Sequence, residues 1–140
     1  MSPPDADYCT CVVTTDGNRE EEVLRAWVNT DLVFRGKVTE GRLAASGDWV
    51  DYTLDVSHVW KGPRRDSIIV GTSLGGGSCG FPFAFGREYL VWASGEESAG
   101  GQVRASTSIC TRTAWLGRMQ GRDDLAALRK LVDEKRLPDG

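Results

Sequence analysis

Four cysteines are the residues of this 140-residue chain best suited to specific chemistry. One residue separates Cys9 from Cys11. In an extended segment the side chains of such a pair lie on the same side but too far apart for the short Cβ–Cβ distance of a disulfide, so the two are badly placed to bond to each other. Cys79 and Cys110 are the only other cysteines that could serve as partners. We therefore predict a framework of two disulfides. Four cysteines allow three pairings, and the sequence alone does not choose among them.

Two bridges would hold the segment Cys9-Thr10-Cys11-Val12, which we call the N-terminal ridge, at the surface. Each bridge would close a long loop and would stabilise the fold by about 3–5 kcal/mol, because it lowers the entropy of the unfolded chain. A segment that is ordered before its partner arrives loses little further entropy on binding. Such a ridge is therefore suited to contact another protein.

A zinc site built from the same cysteines is the alternative. Zinc sites usually take their cysteines in pairs separated by two to four residues, and a separation of one residue is unusual. We therefore favour disulfides, and we expect no intrinsic metal and no cofactor. A thiol redox protein is a weaker alternative, because no helix N-terminus or basic cluster beside the cysteines would lower the pKa of a thiol.

No other residue stands out as catalytic. His58 is the single histidine and lies near the end of a predicted strand, where a structural or half-exposed side chain is expected. Ser78 lies in a glycine-rich loop, but it lacks the Gly-x-Ser-x-Gly surroundings of a nucleophile on a strand-to-helix turn. The sequence therefore predicts a protein that is not an enzyme.

Composition favours one globular domain. The length suits a single hydrophobic core. The 17 basic and 20 acidic residues give a net charge of −3, which offers no electrostatic reason to bind nucleic acid or an anionic membrane. No apolar run is long enough to span a membrane. We expect a monomer with its tryptophans and phenylalanines in the core rather than on a base-stacking surface.

The start of the chain, residues 1–8, is polar and does not have the pattern of a signal peptide. We interpret it as a disordered extension before a single domain at 9–137. Disulfides form in oxidising compartments. We therefore expect a secreted, extracellular protein in which Met1 replaces a removed export signal.

Short strands between two helices would position the cysteines. Alternation of apolar and polar residues is clearest over 49–59, which predicts a strand with one buried face. A short helix is predicted to end at Asn29, and an apolar stripe predicts a longer helix from Arg122. Gly36 predicts a bend or a close backbone approach, and five such strands are typical of a small barrel. The predicted strands are 32–38, 49–59, 67–72, 89–93 and 102–107.

Six motifs occur in an order and spacing that are more specific than any one of them. They are Cys9-Thr10-Cys11-Val12, Asp31-Leu32-Val33-Phe34-Arg35-Gly36-Lys37-Val38, Val59-Trp60-Lys61-Gly62, Ser78-Cys79-Gly80-Phe81, Glu88-Tyr89-Leu90-Val91-Trp92-Ala93 and Ser108-Ile109-Cys110-Thr111-Arg112-Thr113. Through them, the chain from Cys9 to about Leu128 resembles the netrin-like domain. It is most similar to the N-terminal domain of the tissue inhibitors of metalloproteinases, in its compact bacterial form.

The resemblance implies a mainly β fold. This is a five-stranded, OB-fold-like closed barrel with a short N-terminal helix and a longer C-terminal helix. It also implies the disulfides Cys9–Cys79 and Cys11–Cys110. Vertebrate members have a third bridge in this domain, and this chain lacks the cysteines for it.

The resemblance also implies a function, the inhibition of zinc metalloproteinases. In the inhibitors, the first cysteine of the ridge is the N-terminal residue, and its α-amino group and carbonyl oxygen chelate the protease zinc. Carried over, Cys9 would be the chelating residue, Thr10 would enter the substrate pocket, and Cys11 and Val12 would flank it. The neighbouring loop would consist of Gly77, Ser78, Cys79 and Gly80.

Eight residues precede Cys9, and this departs from the inhibitors. The nitrogen of Cys9 is therefore an amide, whose lone pair is not available to zinc, whereas a free α-amino group with a pKa of roughly 8 can supply a neutral ligand. Inhibition would require cleavage directly before Cys9. The alternative is a non-inhibitory extracellular module that binds another protein on the same scaffold.

Overall fold

A computed structural model describes residues 9–11, 17–74, 79–97 and 103–138. The described residues form a closed barrel of five strands with a short helix before it and a longer helix after it, so the predicted fold class is confirmed. The elements are α1 (Arg19–Val28), β1 (Leu32–Leu43), β2 (Trp49–Lys61), β3 (Ser67–Ser73), β4 (Glu88–Glu97), β5 (Val103–Ser106), β6 (Ala114–Trp115) and α2 (Met119–Asp133).

The barrel closes because β1 pairs with both β2 and β4. The strand order is β1-β2-β3-β5-β4-β6, and the β3–β5 pair is parallel whereas the other pairs are antiparallel. Strand β6 was not predicted. It has only two residues, which pair with Tyr89 and Leu90 of β4, and two residues show no alternation in the sequence.

Strand β1 is irregular at Gly36 and lies close to β2 there, which agrees with the close backbone approach predicted from this glycine. Its register with β2 shifts between Arg35 and Gly36, and a Cβ atom at Gly36 would lie 3.1 Å from the carbonyl oxygen of Asp55. The prediction that β1 ends at residue 38 is wrong. The strand runs on to Leu43, because its last residues pair with the start of β2. Pairing with a strand that comes later in the chain leaves no pattern in residues 39–43 themselves, so the sequence does not show that the strand continues.

Strand β4 is buried on both faces and separates two hydrophobic cores. Tyr89, Val91 and Ala93 point into the barrel, whereas Leu90 and Trp92 point to the layer that contains the helices. This explains why residues 89–93 form an uninterrupted apolar run, the pattern expected of a strand covered on both sides.

The two helices cover the outer face of β4. Val23 and Trp27 of α1 are buried there together with Leu128 and Leu131 of α2. The side chain of Asn18 caps α1 by accepting a hydrogen bond of 3.0 Å from the backbone N–H of Glu21. Helix α2 begins at Met119, before the predicted start at residue 122. Within the described residues, neither helix is long and apolar enough to cross a membrane.

Most of the large aromatic side chains lie in the core, as predicted. Trp92 and Phe34 are fully buried, whereas Trp49 and Trp60 are half-buried. The prediction is wrong for Phe85, which is 66% exposed. Phe85 lies in the turn before β4, where its ring meets Tyr52 edge-on with the centroids 6.2 Å apart.

Candidate functional site

Two disulfides anchor the N-terminal ridge to the body of the fold. Cys9 is bonded to Cys79 and Cys11 to Cys110, with Cα–Cα distances of 5.1 and 5.2 Å. These are the pairs that the resemblance implies. Thr10 is exposed between the two half-buried cysteines of the ridge. The predicted site residues Val12, Gly77 and Ser78 lie outside the described residues.

The two bridges lie against each other. The Sγ atom of Cys110 is 3.8 Å from the Sγ atom of Cys9 and 3.9 Å from that of Cys79. The loops that carry the partner cysteines are also joined through the backbone, because the N–H of Ile109 donates to the carbonyl oxygen of Cys79 over 2.9 Å. The ridge therefore has one compact foundation rather than two separate attachments.

Residues 107–113, which we call the Cys110 loop, are held on one side by buried threonine hydroxyls. Thr113 Oγ1 accepts a hydrogen bond of 2.9 Å from the backbone N–H of Trp92, and Thr107 Oγ1 donates to the carbonyl oxygen of Trp92 over 2.9 Å. Thr111 Oγ1 lies 2.9 Å from the hydroxyl oxygens of both Thr107 and Thr113. A satisfied buried network of this kind restricts the loop to one conformation.

The other side of the Cys110 loop is held by a buried carboxylate. Asp124 of α2 is fully buried and accepts hydrogen bonds from Arg112 Nε over 2.9 Å and from Arg112 Nη2 over 2.8 Å. Arg19, at the start of α1, donates to the same carboxylate over 2.6 Å. Burial acts to lower the pKa of the Arg112 guanidinium, but the hydrogen bonds and the charge of Asp124 raise it above its ordinary value. The carboxylate thus joins both helices to the loop.

Residues 79–81, which we call the Cys79 loop, are positioned mainly by close packing of the backbone. A Cβ atom at Gly80 would overlap the carbonyl oxygen of Ser73, so only glycine fits there. The N–H of Phe81 donates to Thr72 Oγ1 over 2.8 Å, and the same hydroxyl donates to the carbonyl oxygen of Thr107 over 2.9 Å. Thr72 therefore links the Cys79 loop to the Cys110 loop through one hydroxyl group.

The surface beside the ridge offers apolar contacts. Ile109, next to Cys110, is 47% exposed. Leu74 is 44% exposed and follows Ser73, whose carbonyl oxygen packs against Gly80. A groove of about 530 Å³ between the Cys110 loop and α1 is lined by charged residues of both signs, among them Glu22 and Arg112. This arrangement can present an exposed threonine, flanked by apolar and charged surface, to a protein partner.

The structure does not bring His58 into this site. Its side chain is exposed on β2 and its ring lies on that of Trp60, with centroids 4.3 Å apart. It lines a different groove, together with Ser57 and Glu88. Among the described residues, no hydrogen bond joins His58 to a hydroxyl or a carboxylate, so the geometry of a general base with its partner is not formed there.

Sequence reasoning missed the residues that support the loops. Asp124 lies one helical turn before Leu128 of the predicted apolar stripe, and its charge at a core-facing position was the available signal of a buried partner. Thr111 and Thr113 lie in the motif around Cys110, and Thr107 ends the predicted strand 102–107, but neither pattern indicated that these hydroxyls are buried. Their burial depends on strands that lie far away along the chain, so a hydroxyl on the surface and a hydroxyl in the core look the same in the sequence.

Comparison with protein-family models finds none that matches this chain. Comparison with curated proteins also finds no match. The netrin-like resemblance therefore stays a prediction that depends on the motifs.

Proposed function

We propose that this protein is a secreted, monomeric inhibitor of zinc metalloproteinases that resembles the tissue inhibitors and acts through the N-terminal ridge. The observation that carries the proposal is the anchoring of the ridge. Thr10 is exposed between two cysteines, and each cysteine is bonded to a loop that buried contacts hold in place. The two disulfides support an oxidising compartment and hence export.

The rigidity of the ridge matters because binding costs conformational entropy. An unanchored chain end would lose about 1–2 kcal/mol per residue when it became ordered on a partner. The two bridges impose most of this loss during folding, so little of it opposes binding. The exposed side chain of Ile109 adds apolar surface beside the bridged cysteines.

The chemistry of inhibition depends on the first atom of the ridge. Zinc at a protease active site keeps one coordination position open for water. A free amine on Cys9, with the adjacent carbonyl oxygen, could displace that water and form a chelate. In the present sequence the nitrogen of Cys9 is acylated by Tyr8, so we propose that cleavage between Tyr8 and Cys9 activates the inhibitor.

The experiment compares three forms of the protein that begin at Met1, Tyr8 and Cys9. The Tyr8 form is the matched control, because it keeps both bridges and differs from the Cys9 form by one residue. We expect the Cys9 form to inhibit members of a panel of zinc metalloproteinases. The Tyr8 and Met1 forms should bind at least about 100-fold more weakly, which corresponds to about 2.8 kcal/mol. Disulfide mapping verifies the bridges in all three.

Thr10 provides an independent check of the same pose. In the Cys9 form, Thr10→Ala should weaken inhibition by about tenfold, since it removes a methyl and a hydroxyl group from a side chain that enters the substrate pocket. The change should leave the free energy of unfolding nearly unaltered, because Thr10 is exposed.

Two outcomes would contradict the proposed mechanism. Equal inhibition by all three forms would exclude chelation by a free amine. No inhibition by any form, with both bridges intact, would favour the alternative function of a non-inhibitory extracellular binding module. The acylated nitrogen of Cys9 is the observation that favours this alternative.

A further inference from the structure

The packing of the two disulfides suggests a second state of the protein. The Sγ atoms of Cys9, Cys79 and Cys110 all lie within 4.8 Å of one another. The fourth sulfur, that of Cys11, is bonded to Cys110. If both bridges were reduced, four thiols would therefore share one small volume at the surface.

Direct exchange between the bridges is disfavoured by their geometry. A thiolate attacks a disulfide along the extension of the sulfur–sulfur bond and forms a mixed disulfide. The Sγ atom of Cys110 lies 3.8 Å from one sulfur of the Cys9–Cys79 bridge and 3.9 Å from the other. It therefore faces the side of that bond, and a thiolate at this position is not aligned with either sulfur.

The same distances suit a metal ion. Zinc binds four thiolates at about 2.3 Å in a tetrahedron, which places the sulfur atoms about 3.8 Å apart. The two non-bonded distances from Cys110, 3.8 and 3.9 Å, match this spacing. Reduction would release the remaining sulfurs from their short covalent bonds, and rotation of the side chains could bring them to the same separation.

We propose that the fully reduced protein binds one zinc ion through the thiolates of Cys9, Cys79, Cys110 and Cys11. Two dithiol molecules act as the reductant. Each transfers two electrons and two protons to one bridge and becomes a cyclic disulfide, which leaves four thiols on the protein. Zinc then displaces the thiol protons and keeps its charge of +2, so the metal undergoes no redox change.

The scaffold supports this site without the bridges. The hydrogen bond from the N–H of Ile109 to the carbonyl oxygen of Cys79 and the contacts of Thr72 join the Cys79 and Cys110 loops independently of any sulfur. Two ligands would therefore stay together after reduction. The ridge would supply the other two and would be held by the metal in place of the bridges.

The test uses the full chain and does not depend on the proposed inhibition, since no protease is present. The protein is reduced with a dithiol, which is removed by gel filtration under argon, and is then titrated with Co²⁺. We expect one Co²⁺ per chain, with thiolate-to-cobalt charge-transfer absorption and the d–d bands of a tetrahedral site. Zinc should displace the cobalt, and the oxidised protein should show none of these bands.

Two variants form a matched pair. Cys11→Ser and Cys110→Ser remove the same bridge from the oxidised protein, so they differ only in the ligand that is lost. The sulfur of Cys110 lies next to the other three sulfurs in the oxidised protein. Its loss should lower the zinc affinity of the reduced protein by at least about 100-fold. This is more than is usually lost when a residue that only hydrogen-bonds to a metal ligand is removed. Cys11→Ser should cost less, because Cys110 lies on a loop that hydrogen bonds still hold in the reduced protein, whereas the ridge that carries Cys11 loses its bridges and must be ordered by the metal.

Several results would overturn the proposal. The proposal fails if the reduced protein binds no Co²⁺ while circular dichroism shows that it is folded. It also fails if the reduced protein is unfolded, binds no Co²⁺ and does not refold when zinc is added. Cobalt spectra without thiolate bands would also overturn it. A loss of affinity in Cys110→Ser that is equal to or smaller than that in Cys11→Ser would exclude the arrangement around Cys110.

Discussion

The two loops that anchor the ridge are held by different forces. The Cys79 loop is positioned by shape, since Gly80 packs directly on the carbonyl oxygen of Ser73. The Cys110 loop is held by polar contacts, with neutral hydroxyls on one side and the buried carboxylate of Asp124 on the other. The surface beside the ridge therefore depends on two kinds of interaction, close packing in one loop and polar contacts in the other.

Because the two loops are held differently, they should respond to different kinds of substitution. A shape-determined contact fails when an atom is added, and a polar network fails when an atom or a charge is removed. Substitutions of these two kinds therefore disturb one loop first, and the hydrogen bonds of Thr72 and Ile109 carry part of the change to the other loop. Their effects on stability should rank by the burial and charge of the group that each one disturbs.

Removal of the buried carboxylate should have the largest effect. Asp124→Ala leaves Arg112 and Arg19 without the group that accepts their hydrogen bonds, and we expect a loss of about 3 kcal/mol in the free energy of unfolding. Urea denaturation at neutral pH measures it. Asp123→Ala is the matched control, because this neighbour is 48% exposed in its side chain and lies 3.8 Å from Arg19. Its cost should stay below about 1 kcal/mol. Equal losses in the two variants would show that Asp124 does not support the Cys110 loop.

Added volume at the Cys79 loop should have the next largest effect. Gly80→Ala would force the loop away from Ser73, at a cost of about 2 kcal/mol in the free energy of unfolding. Because hydrogen bonds link the two loops, amide chemical shifts should change most at Phe81 and less at Trp92 and Thr113. An unchanged free energy of unfolding would show that the backbone can move aside, and that shape does not fix this loop.

Loss of one buried hydroxyl should cost less. Thr113→Val keeps the shape of the side chain but removes the acceptor of the Trp92 N–H, so we expect a loss of about 1.5 kcal/mol in the free energy of unfolding. Thr39→Val is the control. The exposed hydroxyl of Thr39 donates to the carbonyl oxygen of Thr53, and its removal should cost less than about 0.5 kcal/mol. If thermal or urea denaturation gives the two variants the same stability, the neutral network contributes nothing to the Cys110 loop.

An ion pair outside both loops should give the smallest effect and the clearest pH dependence. Arg35 donates to Glu88 over 2.8 Å, and this hydrogen bond lowers the pKa of Glu88 below its ordinary value of 4.5. The stabilisation is therefore fully present above that value and is lost as the pH falls through the lower pKa of the folded state. Glu88→Gln should cost less than about 1 kcal/mol in the free energy of unfolding at pH 7, since the pair is about one third exposed. The difference between the variant and the original protein should shrink as denaturation is repeated below pH 4.5. If the stability difference between the two proteins grew below pH 4.5, the pKa of Glu88 would not be lowered in the folded state.

Much of the fold could be predicted because its signals are local. The alternation over 49–59 and the apolar stripe of the tail each placed an element near its observed position, and Gly36 marked the point where β1 is irregular and lies close to β2. Strand β6 and the extension of β1 to Leu43 could not be predicted in this way, since they exist only through pairing with distant strands. Phe85 was wrongly placed in the core because hydrophobicity alone does not say which way a turn directs its side chain.

The sequence by itself determined that Cys9 and Cys11 need distant partners and that an exposed ridge would lie between them, because a separation of one residue is a local constraint. Its motifs suggested the pairing and the function. Only the tertiary structure decided how the ridge is supported. It brought Thr113 under β4, placed Asp124 between Arg19 and Arg112, and set the two disulfides side by side. These contacts join residues that are far apart in the chain, and their strength comes from burial, which the folded protein creates.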